Sequence, residues 1–344
     1  MPVVVVFLRG GADGFALVPP VGEDAYHVLR PTTHLAAGLG VRLDNRFVLH
    51  PDLAALAPCW ERGELSIIPA AGIPDDSHSH FVAQDWLEHG GDNVAGGWLG
   101  RWLNTQNRHP LGAVALGQML PESLRGAPGA VALSDFSELA RPGGEDLAHR
   151  LVELYATDPL LAAPAAEVLA VHERLRRLIS RTPVNYPDTP FAQHLGQVAA
   201  LIHADVGMHV ACVDLSGWDS HIAMESLLPP LRRSLAEGLA AFATDLGPSL
   251  QRTSVVVITE FGRRCAENAS LGTDHGRAGC AMVLGGATPG GVIGRWPGLD
   301  HLEGPGDLPV GTDLRDVFCA VLTRHGGVDS QVVFPGLVPE ACGA

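Results

Sequence analysis

The stretch Thr253-Ser-Val-Val-Val-Ile-Thr-Glu-Phe-Gly-Arg-Arg264, followed after a polar loop by Thr273-Asp-His-Gly-Arg277 and then Ala278 to Leu284, decides how this chain is read. Two short apolar runs bracket a loop that holds Glu260, the pair Asp274-His275 and the arginines Arg263, Arg264 and Arg277. The runs are rich in β-branched residues and lack strict alternation, which suits strands buried on both faces of a sheet. Carboxylate and imidazole side chains together hold hard or borderline metal ions. Arginines beside them suit an anionic, oxygen-rich group.

Similar runs recur at Val3–Leu8, Leu65–Ala70, Ala113–Leu116 and Val210–Leu215. Helical patterns lie between them, at Phe81–Glu88, Trp98–Thr105, Glu145–Ala156, Ala165–Arg181, Thr189–Asp205, Leu231–Leu246 and Leu314–Arg324. The helix Leu231–Leu246 opens after Pro229-Pro230. Strands alternating with helices predict an α/β fold, a layered α/β/α domain around a mostly parallel sheet. No linker divides the chain, so residues 1–344 are read as one domain, with 121–187 as a helical cap beside the sheet. The Arg174-Leu-Arg-Arg177 cluster in that region reads as a solvated helix face.

Composition narrows the chemistry. Apolar residues form 46% of the 344, enough for a substantial core. The net charge of −15 argues against nucleic acid or an anionic membrane as partner. All 23 basic residues are arginine. Without lysine there is no Walker P-loop, no pyridoxal or Schiff-base chemistry and no protein-kinase site. The six cysteines are scattered with no Cys-x-x-Cys pair, which predicts reduced core thiols rather than a disulfide scaffold. Apolar runs are too short for a membrane span. The chain opens directly on a strand-like run with no basic segment before it, so a cytoplasmic location is expected.

Four segments concentrate ionisable residues at predicted strand ends, where sites collect in open α/β sheets. Arg9-Gly-Gly-Ala-Asp13-Gly14 reads either as a plain turn with a capping aspartate or as part of a site. In Asp75-Asp-Ser-His-Ser-His80, Ser77 or Ser79 is a helix N-cap, or a nucleophile placed where backbone amides bind an anion. Asp219-Ser-His221 is a metal-binding pair or a structural hydrogen bond. Glu260, Asp274 and His275 are metal ligands or the partners of Arg263 and Arg264 in ion pairs.

The order of these segments resembles the alkaline phosphatase superfamily. More closely, the chain resembles the bacterial family known as domain of unknown function 1501. The residues that carry this are Phe7-Leu-Arg-Gly-Gly-Ala-Asp-Gly14, Ser79-His-Phe-Val-Ala-Gln84, Gly217-Trp-Asp-Ser-His221, Glu260-Phe-Gly-Arg-Arg264 and Thr273-Asp-His-Gly276. Gly294-Arg-Trp-Pro-Gly298, Thr312-Asp-Leu-Arg-Asp316 and Phe334-Pro-Gly336 also fit. The resemblance implies an alkaline phosphatase-like fold, with Asp13 as an early metal ligand and Ser79 as nucleophile, Ser77 being the second choice. It implies Asp219 and His221 as ligands, at a tighter spacing than the usual Asp-x-x-x-His, and His275, preceded by Asp274, as the final one. The usual Asp-His dyad is replaced by Glu260-Phe261, so one imidazole is missing, and His80 is the residue expected to replace it.

On this reading the chain binds one or two divalent ions, zinc or manganese, and hydrolyses or transfers a phosphate or sulfate ester. Arg9, Arg263, Arg264 or Arg277 would hold the oxygens of a small anionic substrate. Two rivals stand beside it: a non-catalytic binding module on the same fold, and copper or iron chemistry at the histidine-rich loops. Relatives often carry a twin-arginine export signal, which this sequence lacks. Oligomeric state has no sequence signature here.

Overall fold

A computed structural model describes residues 1–109, 111–134, 144–163, 165, 166, 169, 170, 173, 184–286 and 288–341. The Arg174-Leu-Arg-Arg177 cluster, most of the predicted Ala165–Arg181 helix and Cys342 lie outside them.

The strands are β1 (Val3–Arg9), β2 (Val41–Arg42), β3 (Val48–Leu49), β4 (Leu65–Gly72), β5 (Ala113–Leu116), β6 (Ala130–Leu133), β7 (Val210–Ser216), β8 (Ser254–Ile258), β9 (Gly279–Leu284), β10 (Gly291–Val292) and β11 (Thr312–Asp313). The main sheet runs β10-β4-β9-β8-β1-β7-β5-β6, with β11 also pairing β4. Its ladders are parallel except for those of β9, which is antiparallel to both β4 and β8. The small β2–β3 pair stands apart.

Alternation along β1 shows why the sheet is central. Val4, Val6 and Leu8 join one core, while Val3, Val5 and Phe7 join the other. Successive side chains of a strand point to opposite faces, so both faces must be covered. The first core takes Phe191, Leu195 and Val198 from the helix Pro190–Ala204 and Leu228, Leu235 and Leu239 from Met224–Leu246. The second takes Leu87 from His80–His89, Trp98 and Trp102 from Trp98–Leu103, and Val317, Phe318 and Val321 from Leu314–Arg324. Each such side chain contributes about 1.5–3 kcal/mol on burial. The fold is therefore the expected layered α/β/α arrangement.

Two details differ from expectation. The helix predicted to start at Leu231 begins at Met224 and carries Pro229 and Pro230 inside it. Their missing amides deprive two first-turn carbonyls of helical donors, a loss tolerable so near a helix start. Within 121–187, residues Ala130–Leu133 form β6 and extend the sheet rather than capping it.

The topology gathers five loops at one edge. Strands β1, β4, β7 and β8 point the same way, so residues after Arg9, Gly72, Ser216 and Ile258 emerge together. Because β9 runs backwards, the segment before it, Thr273–Arg277, arrives at that same edge. A bridge between Arg263 and His275 prolongs the β8–β9 ladder beyond the sheet and fixes both residues there.

Candidate metal centre

Asp219 is the hub of the edge. Arg263 Nη2 donates to its Oδ1 at 2.7 Å. The same oxygen lies 3.1 Å from His221 Nε2, 3.3 Å from His275 Nε2 and 3.6 Å from His80 Nε2. Gly10 makes this approach possible: a Cβ there would sit 2.7 Å from the Asp219 amide nitrogen. Gly11, at φ +62°, leaves room for the ring of Phe261, which would meet a Cβ at 2.4 Å.

Each imidazole is oriented from behind through Nδ1. His275 Nδ1 donates to the His78 carbonyl at 2.8 Å. His80 Nδ1 lies 2.9 Å from Glu260 Oε1, and His221 Nδ1 lies 3.4 Å from Asp274 Oδ1. An acceptor at Nδ1 places the proton there and leaves Nε2 as a bare lone pair, the form that binds metal. Three such lone pairs converge on one carboxylate oxygen. His221 Nε2 and His275 Nε2 are 2.9 Å apart, where two lone pairs repel unless a proton or a cation joins them. His80 Nε2 is buried with no hydrogen-bond partner among the described residues. Ligands at 2.0–2.1 Å around a tetrahedral zinc ion stand about 3.3 Å apart, close to the separations here. His80, Asp219 and His275 form a group that fits a metal ion, their donor atoms all within 4.8 Å of one another. The donor set thus suits a divalent cation.

The electrostatics agree. Burial pushes the Asp219 carboxyl up, but the hydrogen bond and charge of Arg263 outweigh it, with His275 and His221 adding to them only when protonated, and bring it down to about 2. Burial lowers the His275 imidazole below its usual value, which keeps it neutral and able to ligate. Burial also opposes ionisation of Glu260, yet hydrogen bonds from Gln84, backbone amides and His80 leave it below the ordinary carboxylate range.

The remaining predicted residues take other places. Asp13 is kept out of the cluster. It caps the helix Gly14–Leu17, accepting from the Phe15 and Ala16 amides, and is gripped by Arg30 at 2.7 and 3.1 Å. Glu260 and Asp274 stand behind His80 and His221 rather than facing the common centre. Arg263 is buried, and its donors go to the carbonyls of Gly10, Gly11 and Thr273 as well as Asp219. Arg9 pairs with Asp214 and Glu88, Arg264 with Asp274, and Arg277 with Glu303. Ser79 is the N-cap residue of the helix His80–His89, and its hydroxyl makes no capping bond among the described residues. Ser77 Oγ instead donates to Asp75 at 2.6 Å. Phe261 packs against the rings of His80 and His275, both at 4.8 Å.

Three contributors had no assigned role in the sequence reading. Gln84 donates to Glu260 at 2.8 Å. His78 sits at φ +53° with its ring 2.6 Å from the buried Asp307 and its carbonyl on His275. Arg30 neutralises Asp13. Gln84 and His78 lie in motifs already singled out, whereas Asp307 and Arg30 sit in segments with no pattern to mark them.

Fold and cluster together define a layered α/β protein with His80, Asp219 and His275 grouped at its sheet edge and His221 beside them. Residues 65–334 match the family described as protein of unknown function (DUF1501), and the chain belongs to that family. No curated protein matches it. Among solved structures, it is similar to Ps i-CgsB at 12% identity and a TM-score of 0.41, covering 97% of this chain and 74% of that one. A second is the PsFucS1 sulfatase from Pseudoalteromonas sp., at 13% identity and a TM-score of 0.39, covering 98% and 70%. A third is the phosphonate monoester hydrolase of Agrobacterium radiobacter, at 12% identity and a TM-score of 0.38, covering 98% and 78%. Among the described residues, no helix is long and apolar enough to cross a membrane.

Proposed function

We propose that this protein is a metal-dependent hydrolase or transferase of the alkaline phosphatase superfamily, acting on a phosphate or sulfate ester. The observation that carries the proposal is the convergence of three Nδ1-anchored imidazoles on Asp219 Oδ1. His80, His221, His275 and Asp219 would hold one divalent ion, and three nitrogens with one oxygen favour zinc over manganese. His80 then supplies the imidazole that Phe261 removes from the usual dyad. When bound, the ion supplies Lewis acidity toward an ester oxygen and lowers the pKa of a nearby hydroxyl.

Ser79 is the proposed nucleophile. Its neighbours on both sides are tied into the cluster, His78 through its carbonyl and His80 through its ring. Its hydroxyl is not used as a cap, and it begins a ten-residue helix whose first amides favour an anion. Arg263 holds Asp219 in place, which is a positioning role. Among the described residues Arg264 Nε and Arg277 Nε have no hydrogen-bond partner, so each arginine, though paired with a carboxylate through another nitrogen, keeps one donor for a substrate oxygen.

The test is metal content together with turnover. The protein purified without chelator should carry about one ion per chain and cleave an aryl phosphate, diester or sulfate. His275→Ala should lose both, whereas Ser79→Ala should lose turnover and keep the metal. Absence of bound metal and of turnover in the parent protein would end the proposal.

A further inference from the structure

We infer that the ester accepted at this site carries a single negative charge, as a sulfate monoester, a phosphate diester or a phosphonate monoester does. A phosphate monoester carries nearly two near neutral pH, its second pKa being about 6. The inference rests on the hydrolase reading above and narrows its substrate class.

The argument is one of charge already committed. Arginine clamps recognise dianions by offering guanidiniums that no protein carboxylate neutralises. Here each of the four arginines around the edge is already matched. Arg9 has two carboxylates, with Nε 2.6 Å from Asp214 Oδ2 and Nη2 2.8 Å from Glu88 Oε1. Arg263 is held 2.7 Å from Asp219. Arg264 lies 3.4 Å from Asp274, and Arg277 is in close contact with Glu303. Glu260 adds one more carboxylate, fully buried beside His80. Asp307, buried beside His78, is a seventh, so seven carboxylates face four guanidiniums and a divalent ion leaves the sum at −1. A dianion entering such a site adds two uncompensated charges at short range, where the effective dielectric is low. A monoanion adds one. The chain's net charge of −15 works in the same direction at longer range.

Glu303 offers a way to test this within one protein. Its carboxylate is half-exposed and neutralises Arg277, two residues beyond His275. Glu303→Gln keeps the shape and frees one positive charge at the edge. The zinc- or manganese-loaded protein is assayed near pH 8 with p-nitrophenyl phosphate, bis-p-nitrophenyl phosphate and p-nitrophenyl sulfate. The expected kcat/KM for the better monoanion exceeds that for the monoester by about tenfold or more. In Glu303→Gln the ratio of monoester to diester turnover should rise roughly fivefold, with the thermal midpoint unchanged, as removal of like-charge repulsion predicts. Comparing ratios removes the intrinsic reactivity of each ester. A monoester preferred over both monoanions, or a ratio left within about twofold by the variant, overturns the charge-matching inference and leaves the hydrolase reading intact. No turnover of any of the three esters by the metal-loaded protein ends that reading as well.

Discussion

Asp13 and Asp219 lie in two neighbouring loops of the same sheet edge, each in a glycine-bearing segment after a strand, yet they are opposites. Asp13 is 1% exposed and its oxygens receive Arg30 on both sides, two backbone amides and the Thr273 hydroxyl. Asp219 has a side chain 48% exposed, with one arginine donor and three bare imidazole nitrogens around a single oxygen. The first carboxylate is saturated by hydrogen-bond donors, so it has no capacity left for a cation. The second faces acceptors, an arrangement that a cation completes. What separates a structural aspartate from a ligand is therefore the polarity of its neighbours, not its position at a strand end.

The largest test of this contrast is Asp13→Ala. Breaking a fully buried ion pair by removing one partner leaves Arg30 charged and unpaired, and costs about 3–5 kcal/mol. Chemical denaturation should show that loss, while the variant's folded fraction retains the parent's metal stoichiometry. If the metal departs with Asp13 while the fold holds, the two aspartates belong to one site after all. A smaller effect is expected at Asp307. Its carboxylate holds the ring of His78, which keeps a left-handed backbone and aims its carbonyl at His275 Nδ1. Loss of an outer partner of a ligating histidine lowers metal affinity by about 10–100-fold. Asp307→Asn should fall near the weaker end, since the amide still accepts a hydrogen bond, and Asp307→Ala near the stronger. A metal-binding isotherm unchanged in both would place Asp307 outside the centre.

The parts of this picture that the sequence carried are those with local causes. β5 and the helix Leu314–Arg324 are found at the bounds that their patterns predict. β1, β4 and β7 run one or two residues past their predicted ends, β9 begins one residue after Ala278, and β6 lies where a helical cap was expected. β10 and β11 have two residues each, too few for any alternation to show. The reversed direction of β9 has no local signature either, and it is what brings His275 to the edge. His221 and His275 were expected to share a centre, and their Nε2 atoms lie 2.9 Å apart. The division of the carboxylates was not legible, because it depends on partners far along the chain. Arg30 is 17 residues from Asp13, and Asp307 is 229 from His78. Charge pairing of that range leaves no spacing to read.

Acidification gives the finest test, because it separates the two kinds of donor at the centre. The Asp219 carboxyl is held at about 2, below the ordinary 3.8, so its contribution to stability is present above pH 3.8 and is lost as the pH falls from there toward 2. His275 works in a higher range. Its folded value lies below 6.5, so unfolded chains take up protons more readily, and its neutral form contributes stability that fades as the pH drops below 6.5. Protons compete with a cation for imidazole lone pairs, not for a carboxylate that stays ionised. Bound metal, followed by equilibrium dialysis, should therefore be retained at neutral pH and lost below about pH 6, well before Asp219 protonates. The rise in thermal midpoint that metal confers should vanish over the same interval. Retention of metal down to about pH 4 would mean that carboxylates rather than imidazoles dominate the binding. The contrast between the two aspartates would then have to be drawn with Glu260 and Asp274 on the ligand side.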